Sequence, residues 1–102
     1  MDETALFELL STLKYPVAYD HFFSADKHPP FILYRNANAP SFYADDSTYH
    51  LGKDYIVDLI TETKNTDLEK TLEKLFTDNH LPFDKEEDYI STEYIYQIRY
   101  FI

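Results

Sequence analysis

The chain has 102 residues, one glycine and no cysteine. That suits one domain covering residues 1–102 and excludes disulfides and thiolate zinc sites, so the core must hold the fold, alone or with partner subunits. Nineteen acidic residues against nine basic give a formal net charge of −10, which excludes nucleic-acid binding through a basic patch, because such binding needs Lys and Arg to neutralise phosphates.

The first predicted element is a helix over about residues 3–13. Leu6, Leu9, Leu10 and Leu13 recur at i, i+3, i+4 and i+7, which is one amphipathic stripe. Asp2 or Thr4 is placed to cap it, and Pro16 to stop it. The opening MDETALFELLSTLKYP lacks the basic region and apolar run of a signal peptide. No apolar stretch approaches the ~20 residues of a membrane span. A cytosolic, reducing location is the expectation.

PVAYDHFF, residues 16–23, alternates weakly and predicts a short strand. SADKHPP is a polar loop whose prolines favour extended chain entering the strand FILYR, residues 31–35. NANAP has turn chemistry. SFYADD and STYHLG read as an edge segment, and a long strand is predicted from about Asp54 to Glu62.

Thr66 and Glu69 have capping-box spacing. They open a predicted helix over 67–79 that buries Leu68, Leu72, Leu75 and Phe76 and leaves Glu69, Lys70, Glu73 and Lys74 in water. Pro82 to Tyr89 is a strand whose run Glu86-Glu87-Asp88 suits a sheet edge. STEYIYQIRYFI, residues 91–102, completes a C-terminal hairpin. The expected fold is α+β, an antiparallel sheet of about four to five strands with two helices packed on one face.

Signals for chemistry are sparse. His21, His28, His50 and His80 share no ligand spacing, and no HExxH pattern exists. No serine sits in a G-x-S-x-G elbow, and one glycine cannot build a phosphate loop. The expectation is a protein that is not an enzyme and has no catalytic residue, metal or cofactor. The tyrosines stand out: both faces of the last strand carry large apolar groups, and tyrosine is a favoured contact residue.

The order of LFELLSTLKYPVAY, PPFILY, FYADDSTYH, YIVDLITETKN, DLEKTLEKLFTDN and YISTEYIYQIRYFI resembles the small tail-completion or tail-terminator proteins encoded between the head and tail genes of siphophages and prophages of Gram-positive bacteria. The resemblance spans essentially the whole chain and rests on order and phrasing, not on a catalytic motif. It implies a structural head–tail joining protein that forms a ring, usually a hexamer, at the head-proximal end of the tail tube. Its partners would be further copies of itself, the tail tube protein and head–tail connector proteins, with DNA passing through without specific binding and no membrane contact. It would occupy the host cytoplasm during assembly and then the virion tail or neck.

A ring needs two different sticky surfaces per subunit. Six copies at −10 each would total about −60, a wall that repels sliding DNA. Candidate subunit or partner contacts are Tyr34, Phe42, Tyr43, Tyr49, Tyr94, Tyr96 and Tyr100, and candidate lumen or loop acids are Asp45 and Asp46. The rival reading is a small acidic binding protein, such as a phage-encoded inhibitor or DNA mimic. A third is a small-molecule-binding α+β domain.

Overall fold

YIVDLIT is buried at six of its seven positions, and in the computed structural model of the protein it is the middle of the sheet. The structure describes residues 1–21, 28–37 and 52–102. Among these the order is α1 (Glu3–Ser11), β1 (Val17–Tyr19), β2 (Phe31–Asn36), β3 (Tyr55–Thr61), α2 (Thr66–Asp78), β4 (Asp84–Ile90) and β5 (Ile95–Phe101). The five strands form one sheet in the order β1-β2-β3-β5-β4, an α+β architecture. The predicted edge segment SFYADD and STYHLG lies outside the described residues.

Three of the four strand pairs are antiparallel. The fourth is not: β1 runs parallel to β2, with Val17 opposite Ile32 and Tyr19 opposite Tyr34, so the sheet is mixed. Residues 20–30 are enough chain to return to the starting end, which a tight hairpin cannot do. β1 is also shorter than the alternation predicts. It ends at Asp20, whose φ of 65° breaks the extended run.

Both helices begin on a side-chain cap. The Asp2 carboxylate accepts from the Ala5 N–H at 2.8 Å. α1 stops at Ser11, ahead of Pro16, because the N–H groups of Thr12, Leu13 and Lys14 fold back onto the carbonyls of Leu9, Leu10 and Ser11. In α2 the cap is Asn65, which accepts from the Leu68 N–H at 3.1 Å. The capping box predicted on Thr66 and Glu69 does not form. Asn outranks Thr as a cap, Thr66 becomes the first helical residue, and Glu69 has stronger partners elsewhere.

Tyr34, Val57 and Tyr100 lie directly opposite one another across β2, β3 and β5. Phe7 of α1 meets the Tyr34 ring at 6.3 Å, and Phe76 of α2 meets the Tyr100 ring edge-on at 5.4 Å. Around them one cluster gathers Leu6, Leu10, Ile32, Leu59, Leu68, Leu72, Ile98 and Ile102. Phe83 completes a triangle of rings with Phe76 and Tyr100. On alternate strand positions, Ala37, Ile56 and Phe101 form a second, smaller buried cluster.

β5 is an interior strand, flanked by β3 and β4. Ile102 is tied in by its N–H to the Tyr55 carbonyl, and its own carbonyl accepts from Asp54 and Tyr55. Buried aromatic packing sets the largest single stability cost. Phe76→Ala should lower the free energy of unfolding by about 3–5 kcal/mol, and Asn65→Ala by about 1 kcal/mol. Urea denaturation followed by circular dichroism checks both, and an Asn65→Ala effect near zero would show that the cap is not the helix signal.

Candidate functional site

Glu69 sits where a helix meets the sheet, and it is only 3% exposed. A carboxylate so placed needs cations. Lys64, just before α2, reaches it at 2.8 Å, and Lys85 of β4 reaches it at 2.9 Å. Lys64 also bonds Glu87 of β4. Lys85 bonds Glu73 at 2.8 Å, and the Tyr100 hydroxyl donates to the same Glu73 oxygen at 2.7 Å. The Lys85 ammonium lies 5.9 Å from the centre of the Tyr100 ring, within cation–π range. Glu69 and Glu73, predicted to face water, are therefore partners of the sheet.

Protonation follows this geometry. Burial pushes the Glu69 carboxyl up, but hydrogen bonds from Lys64 and Lys85 outweigh it and hold the group below its ordinary value. Lys64 is raised, chiefly by its bonds to Glu69 and Glu87. Lys85 is lowered by burial but raised overall by Glu73 and Glu69. Tyr100 is pushed far above the ordinary tyrosine value by burial and by Glu73, so its hydroxyl stays a donor.

The opposite face of the sheet carries a second charged feature. Arg99 of β5 faces Asp58 of β3 across the ladder and grips it with two bonds, Nε to Oδ1 at 2.8 Å and Nη2 to Oδ2 at 3.2 Å. Arg35 of β2 lies 3.7 Å from Asp20. An open cavity of about 210 Å³ on this face is lined by Asp20, Leu33, Arg35, Asp58, Gln97 and Arg99, among others.

The structure separates the tyrosines predicted as contacts. Tyr100 is fully buried and Tyr34 is 8% exposed. Both rings are spent inside the chain, because β2 and β5 turn these positions toward the main apolar cluster. They leave little or no side-chain surface for a partner. Tyr94 is 75% exposed in the turn between β4 and β5, with a φ of 57°. Tyr96 is half-buried and packs on Tyr89, with ring centroids 4.9 Å apart. Phe42, Tyr43, Asp45, Asp46 and Tyr49 lie outside the described residues. The hairpin tip is thus a small aromatic surface, and Tyr89 joins it.

No protein family, curated protein or solved structure matches this chain. Among the described residues, no group of three or more His, Asp or Glu is arranged to hold a metal ion. No helix among them is long and apolar enough to cross a membrane.

The β4–β5 hairpin presents its aromatic tip next to a run of carboxylates, while the Lys64–Glu69–Lys85 network clamps its base to α2. Sequence reasoning overlooked that network, although a signal existed. Glu69 is three residues before Leu72 and seven before Phe76, so it flanks the buried stripe.

The clamp has a pH signature. The Glu69 pKa is lowered on folding, so its contribution is present above the ordinary value of 4.5 and drains away as pH falls through the lowered one. The two lysines are raised, so their contribution is fully present below 10.5 and is lost only as pH rises through the folded values. Glu69→Gln should lower stability at neutral pH by about 1.5–3 kcal/mol. The gap from the wild type should narrow as pH drops below 4.5. Thermal melts across the acid range measure this, and a pH-independent gap would refute the ionic account.

Proposed function

We propose that this chain is a structural assembly protein of the tail-terminator or head–tail joining kind, which forms a ring at the head-proximal end of a phage tail tube. The observation that carries this reading is the β4–β5 hairpin. Tyr89 and Tyr94 are 46% and 75% exposed, and every residue of β4 up to Tyr89 keeps part of its surface exposed. The hairpin therefore offers an aromatic tip and an acidic strand on one rigid element.

A head-to-tail ring joins two unlike surfaces of the same subunit. The hairpin tip suits one. The corner formed by Phe7 and Tyr19, both exposed and both packed on the buried Tyr34 ring, suits the other. Two surfaces at opposite ends of the strand order can propagate around an axis. A net charge of −10 per copy supports a lumen that lets DNA slide without adhering. In this reading the protein acts in the host cytoplasm during assembly and then in the virion neck.

The rival reading, a small acidic inhibitor that imitates nucleic acid, has the overall charge in its favour. The lysines set among the carboxylates of α2 and β4 count against it, because they neutralise much of that surface.

Mixing the purified protein with its tail tube protein should produce capped tubes of limited length in negative-stain electron micrographs. A Tyr89→Ser/Tyr94→Ser double variant should fold, with a melting temperature only modestly lowered by loss of the Tyr89–Tyr96 contact, and cap poorly. Uncapped tubes together with normal tails in virions lacking the gene would refute the assignment. Salt-sensitive binding to a nuclease instead would favour the rival.

A further inference from the structure

We propose that β4 is a docking edge for an extended basic segment of another protein, which adds to the sheet as a sixth strand. The inference does not depend on the tail reading. β4 is the end strand of the sheet, it is seven residues long and its side chains are exposed from Asp84 to Tyr89. An edge strand presents backbone donors and acceptors that an extended peptide can use. The other edge, β1, has only three residues and offers a far shorter template.

The charges on β4 specify the occupant. Alternation along the strand sorts them into two rows. Lys85 and Glu87 lie in the row that faces α2, where Glu69, Glu73 and Lys64 neutralise them. Asp84, Glu86 and Asp88 make up the other row. On β5 their neighbours are Phe101, Arg99 and Gln97, and Arg99 directs two of its nitrogens to Asp58. Among the described residues Glu86 and Asp88 take part in no ion pair. They border an open cleft of about 460 Å³ together with Glu87, Gln97 and Arg99.

A strand laid beside β4 brings its side chains within about 4.5–5.5 Å of this row. Like charges there repel and opposite charges attract. A second copy of β4 would set its own carboxylates against these and is disfavoured. A segment with Lys or Arg at every second position matches the row along its length. The acids therefore act as a filter: they keep the edge from pairing with itself and admit a basic partner.

The probe is a short peptide of alternating lysine and threonine, compared with one in which glutamate replaces lysine. Amide hydrogen exchange and two-dimensional NMR of the full chain map the contact. The lysine peptide should protect amides of β4, with an effect that fades as salt is added, and the glutamate peptide should leave them unchanged. Glu86→Gln/Asp88→Asn should weaken binding several-fold, and Glu86→Lys/Asp88→Lys should abolish it. Both pairs of substitutions are at exposed positions, so melting curves near that of the wild type should confirm folding. The proposal fails if the lysine peptide leaves β4 amides untouched, if the two peptides bind alike, or if the charge-reversed protein binds as well as the wild type. The peptide comparison on the wild-type chain decides the matter even if a variant misfolds.

Discussion

Burying a carboxylate between a helix and a sheet imposes a demand that the rest of the fold must meet. Glu69 cannot keep its charge there without cations, and the cations come from two separate elements, Lys64 ahead of α2 and Lys85 on β4. The demand therefore sets the rotation of α2 about its axis and its height along the hairpin. Leu68, Leu72 and Phe76 would pack acceptably over a range of rotations, since apolar attraction has little direction. Charge-assisted hydrogen bonds have a short reach and a required geometry. The apolar stripe holds α2 on the sheet, and the ion network chooses one seating for it.

Asp58 and Arg99 perform the matching task within the sheet. They are opposite each other on adjacent strands, on a face that also buries Ile56 and Phe101. A slip of one residue would turn every side chain of β5 to the wrong face. It would also leave Asp58, 8% exposed, without its bidentate partner. Breaking a pair this deep costs much more than an exposed pair contributes, so the pair penalises the wrong register.

These two ion sets divide the charge of the protein into a part consumed by the fold and a part left for partners. Lysines and arginines are few, and Lys64, Lys85 and Arg99 are committed to Glu69, Glu73, Glu87 and Asp58. Among the described residues, Glu86 and Asp88 of β4 take part in no ion pair, and they lie near the aromatic hairpin tip. An assembly subunit needs this combination: a core that closes without help, and a rigid element with a chemical character of its own. The proposed ring and the proposed basic strand partner both draw on that element, through its tip and its edge respectively.

Much of the fold is legible in the residues. The stripes of α1 and α2, the apolar run of β3 and the paired strands of the hairpin follow from periods of 3.6 and 2, which are local properties of the chain. The acidic run of β4 marks an edge for the same local reason. What the sequence leaves open is every choice that depends on which elements become neighbours. Tyr34, Tyr94, Tyr96 and Tyr100 are alike as residues, but strand order puts Tyr100 under Phe76 and leaves Tyr94 in a solvent-exposed turn. Glu69 reads as a capping or surface residue until α2 lies against β4 and two lysines converge on it. The parallel pairing of β1 is likewise invisible in three residues. Composition and period determine the elements and the sign of the surface, whereas burial and charge pairing arise between residues far apart in the chain, so only the tertiary arrangement decides them.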